Sequence, residues 1–185
     1  MFGYNPYLLK ETLREAKQLR PDRDVQALQR AVRLFERALL LGRVGRLWSV
    51  VLGRSHHLAA LATVEARVTI SDRFYAGTYA VPLSRIRGSE GRSGDFDLAF
   101  RPLQSHSRER WLGVAIACQQ GVALPPVELI QLGDVYFIRD GHHRVSAARA
   151  LGQGYIEAAV TVWQVAGLLP WEQPMPLRTV RRTAP

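Results

Sequence analysis

The chain has 185 residues, of which 47% are apolar and 22% are charged. These proportions are close to those of average globular proteins, and they exclude a disordered chain, a collagen-like fibre and a coiled coil built of heptads alone. No apolar run approaches the roughly 18 residues that span a bilayer, and no leader pattern precedes the first helix. A single cysteine, Cys118, excludes an intramolecular disulfide framework. We therefore expect a cytoplasmic protein without a membrane partner.

The charge of the chain is strongly basic and unevenly distributed. The formal net charge is +9, and 23 of the 25 basic residues are arginine. Residues 1–60 carry 11 basic against 5 acidic residues. Arginine is well suited to phosphates and carboxylates, so the excess indicates either an anionic partner, such as nucleic acid bound weakly and without sequence preference, or a solvated basic surface.

Residues 1–60 are predicted to form a basic helical extension. A first helix begins at Asn5-Pro6 and ends before Pro21, because asparagine caps helices and proline interrupts them. A second begins at Asp22 or Asp24 and ends before Gly42, and a third covers 44–52. The second helix has an apolar stripe of Val25, Leu28, Val32, Phe35 and Leu39, and a basic row of Arg30, Arg33 and Arg37. The first two helices would form a hairpin.

Residues 61–165 are predicted to form an α+β domain with a mixed sheet, followed by a loose tail over 166–185. Alternation predicts a strand over 63–70, and Ser71-Asp72 predicts a turn before a second extended run over 74–86. A long polar loop covers 87–107. The remaining elements are a helix over 107–120, a hairpin of strands 127–132 and 135–138, a helix over 142–151 and a strand over 156–163.

The segment Asp140-Gly141-His142-His143-Arg144 is the most informative motif. It joins a predicted strand to a predicted helix, and the first N–H groups of a helix have no partner within the helix. Gly141 lets the backbone approach a ligand, while His142, His143 and Arg144 supply side-chain donors. We expect Arg144 to lie at the surface and to bind phosphate. The alternative is a helix start capped by Asp140 with ordinary surface histidines.

This motif, followed by an alanine-rich helix and a strand, resembles the ParB/sulfiredoxin superfamily over residues 78–163. The resemblance implies that the turn wraps the phosphates of a nucleotide. Sulfiredoxins carry their reactive cysteine where this chain has His142, so sulfiredoxin chemistry is not expected. The motif is most similar to that of the free serine kinases, which also use Asp-Gly-His-His-Arg.

The kinase resemblance extends to Leu83-Ser84-Arg85-Ile86-Arg87-Gly88-Ser89-Glu90, whose last residue falls where those kinases have a catalytic glutamate. It implies that Glu90 is the base. We expect the nucleotide to be ATP, ADP or CTP and its phosphates to bring Mg²⁺, which Glu90 or Asp140 would help to hold, with Asp95 and Asp97 of the long loop as further candidates. Ser89 replaces a histidine of the family pattern. The alternative for Glu90 is an exposed carboxylate paired with Arg87 or Arg92.

Two further sets of residues bear on the ligand. Arg108 and Arg110 stand in the first turn of the helix over 107–120, where the helix dipole disfavours cations. We assign Arg110 to the bound ligand, with pairing to Glu109 as the alternative. The histidine pairs at 56–57 and 142–143 do not predict a metal site, because adjacent side chains diverge and a closed site needs four converging ligands.

Two functions remain open from the sequence. One is a nucleotide-dependent kinase of a small hydroxyl compound such as free serine, with Glu90 and Asp140 as catalytic residues and Gly141, His142, His143, Arg144 and Arg110 around the nucleotide. The other is a ParB-like nucleotide switch or DNA-binding module without small-molecule catalysis. No sequence element for reading base edges is evident.

Overall fold

The structure is a computed structural model that describes residues 21–52 and 58–172. These residues form six strands, β1 (Ala59–Ala60), β2 (Thr69–Pro82), β3 (Ile86–Ser89), β4 (Val127–Leu132), β5 (Val135–Asp140) and β6 (Tyr155–Ala166). They also form the helices α1 (Pro21–Val51), α2 (Leu61–Glu65), α3 (Arg108–Gln119) and α4 (His142–Ala150), and a 3-10 turn at Leu83–Arg85. The predicted α+β class with a mixed sheet is confirmed. Within these two ranges, no helix combines the length and the apolar character that a membrane crossing requires.

The six strands form one sheet in the order β1-β3-β5-β4-β6-β2. The pairs β1–β3, β3–β5 and β4–β6 are parallel, whereas β4–β5 and β2–β6 are antiparallel. Because β3 and β5 are parallel neighbours, their carboxyl ends lie side by side at one edge of the sheet. The chain leaves β3 into the long loop at this edge, and it leaves β5 directly into α4.

The sheet has a helix on each face. Val145 and Ala148 of α4 pack with Ile138 of β5 and other buried residues of one face. Leu61 and Val64 of α2 pack with Phe137 and other buried residues of the opposite face. We call these the α4 face and the α2 face of the sheet.

Helix α1 packs outside α3 and α4 through a third apolar cluster. Phe35 of α1 meets Trp111 of α3 edge to face, with ring centroids 5.4 Å apart. The indole N–H of Trp111 donates a hydrogen bond of 2.9 Å to the hydroxyl of Ser146 in α4. This bond joins the first turn of α3 to α4.

Helix α1 is continuous, and the prediction that a helix ends before Gly42 is wrong. A Cβ at Gly42 would lie 3.0 Å from the carbonyl oxygen of Pro102, so glycine serves here for close packing. The predicted apolar stripe is only partly right. Phe35 is buried with the small residues Ala27, Ala31 and Ala38, whereas Val25 and Leu28 are exposed. The predicted first helix and residues 173–185 of the tail lie outside the described residues.

The predicted strand over 63–70 is also wrong. Leu61–Glu65 is helical, and Leu61 and Val64, three residues apart, are both buried. Strand β2 begins at Thr69 and runs through the predicted turn at Ser71-Asp72, where the register with β6 shifts between Ile70 and Asp72. It ends at Pro82, before the 3-10 turn. The later helices, the hairpin and the last strand are confirmed, with ends that differ by a few residues.

Candidate anion-binding site

The predicted strand-to-helix motif lies at the carboxyl edge of β3 and β5. Ser89, the last residue of β3, is paired with Ile138 of β5. The next residue, Glu90, continues the pairing, since its N–H donates to the carbonyl oxygen of Ile138 at 2.9 Å. The loop that follows β3 therefore begins beside the turn that starts α4.

Gly141 permits this turn. Its φ of 95° lies in the left-handed region that side chains disfavour, and a Cβ would lie only 2.5 Å from Cγ1 of Val127. No side chain makes a capping hydrogen bond at the start of α4. The alternative of a helix capped by the Asp140 side chain is thus not what the structure shows. The N–H groups of the first turn, and the positive end of the helix dipole, face the carboxyl edge of the sheet.

His142 is buried and joined to the end of β3. Its Nε2 lies 2.7 Å from the hydroxyl oxygen of Ser89, which also accepts the backbone N–H groups of Gly91 at 3.3 Å and Arg92 at 2.9 Å. Because the oxygen already accepts two N–H groups, we assign its hydrogen to Nε2, which makes the imidazole neutral. Burial, followed by the charge of Arg92, lowers the pKa of His142 to about 4. His142 therefore acts as a structural acceptor.

His143 is the chemically unusual residue of the site. Both of its ring nitrogens are buried, and neither has a hydrogen-bond partner among the described residues. Burial and the nearby charges of Arg92 and Arg110 lower the pKa of His143 to about 4, with a smaller effect of His106 in the same direction and of Asp95 in the opposite one. An unsatisfied buried polar group costs about 1–3 kcal/mol, so the site is suited to a group that would satisfy this ring.

Phe96 holds the two imidazoles in place. Its ring stacks on His142 with centroids 6.0 Å apart and meets His143 edge to face at 5.7 Å. Phe96 is itself buried in the apolar cluster of the α4 face. The loop between β3 and α3 is therefore packed against the start of α4 by an aromatic side chain as well as by the hydroxyl of Ser89.

Arg144 does not lie at the surface, and that prediction is wrong. Its exposed fraction is 8%. Nη1 donates to the carbonyl oxygens of Pro125 and, at 2.9 Å, Pro126, and Nη2 donates to Oδ2 of Asp140 at 2.8 Å. The guanidinium thus binds the segment before β4 and the end of β5, which positions the turn. Its proposed contact with phosphate stays a prediction.

Glu90 lies at the same edge, but its partner differs from those predicted. Its Oε2 accepts a hydrogen bond of 3.1 Å from Nε of Arg139, rather than from Arg87 or Arg92, and both side chains are roughly 40% exposed. Since Ile138 belongs to the α4 face, alternation along β5 places Arg139 on the α2 face. The carboxylate of Glu90 is directed there too, away from His142.

The remaining predicted residue, Arg110, lies in the first turn of α3, and its charge acts on His143. The residues that sequence reasoning missed are Ser89, Arg92, Phe96 and His106. Ser89 was noted only for replacing a histidine of the family pattern. Arg92 was considered only as a partner of Glu90, and no motif in the loop singled out Phe96 or His106. We use the name anion site for the start of α4 together with His143, Arg92 and Arg110.

Comparison with known proteins identifies a similar structure but no family. No protein-family model and no curated protein matches the sequence. Among solved structures, the chain is similar to sulfiredoxin from Arabidopsis thaliana, with 20% sequence identity and a TM-score of 0.35 over 45% of this chain and 82% of that chain. At this identity and TM-score the likeness says nothing about activity.

Cys118 lies in α3, away from the start of α4, and burial raises the pKa of its thiol.

Proposed function

We propose that this chain binds the phosphate groups of a nucleotide at the anion site. The observation that carries the proposal is the pair of buried, unpartnered ring nitrogens of His143 beside Arg92 and Arg110. A phosphate oxygen that displaced the atoms now covering this ring would accept a hydrogen bond from it and would offset the charges of the two arginines. Phosphate at a helix N-terminus is a recurrent arrangement, because the N–H groups and the dipole both favour an anion there.

The surrounding structure supports a rigid site. Ser89 ties the backbone of Gly91 and Arg92 to His142, so the loop that carries Arg92 is fixed at the helix start. Gly141 leaves no side chain between the turn and Val127. Donors held in place before the ligand arrives lose little entropy on binding, which favours affinity.

The nucleotide itself, which we take to be ATP, ADP or CTP, would bring Mg²⁺ with it. Over residues 21–52 and 58–172, no three His, Cys, Asp or Glu side chains lie together in a way that could hold a metal ion. The ion would therefore be held chiefly by phosphate oxygens, as magnesium commonly is. Asp140 is 43% exposed in its side chain and is the candidate carboxylate at the turn, although Arg144 already binds it.

Phosphate transfer to a small hydroxyl compound such as free serine stays a prediction that depends on Glu90. A general base must reach the hydroxyl that it deprotonates, and the carboxylate of Glu90 is paired with Arg139 on the α2 face. Transfer would require this carboxylate to leave Arg139 and turn around the sheet edge. Glu90→Gln should then leave nucleotide binding intact and lower the transfer rate by about 10²–10⁴. Equal transfer rates in parent and variant would exclude the role.

Nucleic acid is the second candidate ligand class, and a surface of α1 favours it. A groove of about 490 Å³ on this helix is lined by Gln26, Gln29, Arg30, Arg33, Leu34 and Arg37. The groove lies on α1 and not at the start of α4, so it is separate from the anion site. It is formed by one helix and carries exposed arginines, which is compatible with weak, salt-sensitive contact with a phosphate backbone.

Calorimetric titration tests the proposal. The full chain is titrated with ATP, ADP and CTP, each with and without Mg²⁺, and with inorganic phosphate. Arg110→Gln should weaken binding of the preferred nucleotide at least about tenfold, the scale of a hydrogen bond to a charged group. Arg108→Gln, in the same helical turn, is the matched control and should bind like the parent. Absence of binding to every nucleotide, or equal affinities of parent and Arg110→Gln, would overturn the proposal.

A further inference from the structure

The second half of α1 presents an apolar ridge that no described residue covers. We define the ridge by six side chains whose exposed fractions lie between 39% and 75%: Leu40, Leu41, Val44, Leu47, Trp48 and Val51. Scattered exposed apolar residues are normal on a protein surface, but a contiguous set of this size usually marks an interaction site.

The ridge faces away from the rest of the molecule. The residues of α1 that pack on the body, such as Ala31, Phe35 and Ala38, are buried on the opposite side of the helix. Leu40, Val44, Leu47 and Val51 follow one another at intervals of three and four residues, which is the spacing of a single helical face. The ridge is therefore one continuous strip that could receive another helix.

We infer that this ridge pairs with the ridge of a second copy of the chain, with the two α1 helices antiparallel and the twofold axis near Val44. An axis there places Leu40 opposite Trp48 and Leu41 opposite Leu47, and only the last ridge residue, Val51, lies opposite an arginine, Arg37 of the other copy. A twofold interface is self-complementary in this way.

The charge pattern of α1 selects the antiparallel arrangement. The same outward face carries the exposed residues Arg30, Arg33 and Arg37 before the ridge begins. A parallel pair would align these rows and place like charges opposite each other, which disfavours association. In the antiparallel pair the three arginines lie at or beyond the ends of the overlap, where solvent screens them.

The N-terminal segment of the same chain is a poor occupant. It joins α1 at Pro21, and Val44 lies 23 residues further along, or about 35 Å at 1.5 Å per residue. As the helix over 6–20 that the sequence predicts, the segment would span about 22 Å. Packed back along α1, this helix would cover the exposed Val25 and Leu28 and would end before the ridge begins at Leu40.

The C-terminal segment begins on the wrong side of the sheet. Trp171 lies near Phe137, with ring centroids 6.2 Å apart, and Phe137 belongs to the α2 face. Helix α1 packs on α3 and α4, beyond the other face. Residues 173–185 also carry three arginines, which would meet the basic α1.

The ridge is large enough for a dimer of modest affinity. Six large apolar side chains at these exposures offer roughly 600 Å² per copy, close to the ~800 Å² that each partner buries in a standard interface. Their flanking residues on α1 would contribute the remainder. A central tryptophan is the residue type most often found to dominate such interfaces.

Sedimentation equilibrium of the full chain tests the inference. The parent should be a dimer, and Leu47→Glu should weaken dimerisation at least about 30-fold, because it places a charge in the centre of the interface. Leu28→Glu, an equivalent change outside the ridge on the same helix, should leave the dimer intact. A monomeric parent would overturn the inference and leave a partner of another kind as the occupant. A dimer that Leu47→Glu does not affect would overturn it as well.

Cross-linking tests the orientation. In a Cys118→Ser background, Val44→Cys should form an intermolecular disulfide under mild oxidation, since both copies of residue 44 lie near the twofold axis. Arg30→Cys in the same background should not, because antiparallel helices hold its two copies far apart. Cross-linking of Arg30→Cys as well as Val44→Cys would indicate parallel helices, and absence of cross-linking at Val44→Cys would exclude an axis there; either result would contradict the proposed arrangement.

Discussion

The hydroxyl oxygen of Ser89 lies 2.7 Å from Nε2 of His142 and thereby joins the end of β3 to the start of α4. The two residues are 53 positions apart in the chain, and both are buried. The same oxygen holds the backbone N–H of Arg92, so a single hydroxyl positions both an imidazole and a loop that carries a cation. The geometry of the proposed anion site depends on this contact.

Ser89→Ala should destabilise the fold and loosen the site. The change removes the acceptor of two backbone N–H groups and the partner of a buried imidazole, so we expect the free energy of unfolding to fall by about 1–3 kcal/mol. Urea denaturation measures it. Ser93→Ala, in the loop that follows, is the matched control and should cost less than about 0.5 kcal/mol. Equal losses in the two variants would contradict a positioning role for Ser89.

Arg144→Ala should lower stability by more than a surface substitution does. The guanidinium binds two carbonyl oxygens before β4 and the carboxylate of Asp140 through partly buried hydrogen bonds, and its loss leaves these acceptors without a protein partner. We expect a loss of about 2–4 kcal/mol in the free energy of unfolding. Thermal or urea denaturation measures this loss, and Arg139→Ala, which removes an exposed arginine next to Asp140 in β5, is the control. A loss below 0.5 kcal/mol (about the ordinary scatter of surface changes) would restore Arg144 as a residue available mainly to a ligand.

Gly141→Ala should damage both the fold and the site. The added methyl would meet Val127 at 2.5 Å while the backbone holds a φ of 95°. Gly152, with a φ of 76° and no atom within 4 Å of a Cβ, is the matched control, because only the backbone strain applies there. Gly152→Ala should cost about 1 kcal/mol and Gly141→Ala at least about twice as much. Equal costs would show that the turn at α4 has room to adapt.

The strand-to-helix turn at Gly141 could be predicted from the sequence because its determinants are local. A strand, a glycine and a helix with histidines in its first turn are consecutive residues, and the structure has them at the predicted places. The contacts that complete the site are not local. Neither Ser89 nor Arg92 carries a pattern that reveals which residue of α4 it will approach.

Two wrong predictions of secondary structure have the same origin. Gly42 was expected to end a helix, but the close approach of Pro102 and Leu103 favours a residue without a side chain inside α1. Val64, Ala66, Val68 and Ile70 alternate as in a strand, yet burial of Leu61 and Val64 beneath the sheet stabilises a short helix there. Packing against residues distant in the chain determined both elements, and the local sequence pattern does not reveal those contacts.

Stability should fall with acidification because of the two buried imidazoles. The pKa values of His142 and His143 are lowered from 6.5 to about 4 by burial and by Arg92. Between these values the unfolded chain binds protons that the folded chain does not. The free energy of unfolding is therefore highest above pH 6.5 and decreases toward pH 4, by up to about 1.4 kcal/mol per pH unit for each imidazole.

His143→Gln tests this dependence, since glutamine does not titrate. Urea denaturation across that pH range should give a shallower decrease for the variant than for the parent. Identical slopes would show that His143 titrates normally in the folded state. Added inorganic phosphate should stabilise the parent most at the acidic end, where binding and protonation of His143 assist each other.

The most direct measurement of the central claim is the ¹⁵N resonance of the His143 ring during titration with ATP and Mg²⁺, and separately with inorganic phosphate. If phosphate binds at the start of α4, the ring nitrogens should shift on binding, and the pKa of His143 should rise from about 4 by at least about one unit, because a nearby anion favours the imidazolium. The ring resonances of His142 should change less, because its Nε2 is already hydrogen-bonded to Ser89. Ring resonances and a pKa of His143 that stay constant at saturating nucleotide would contradict the account.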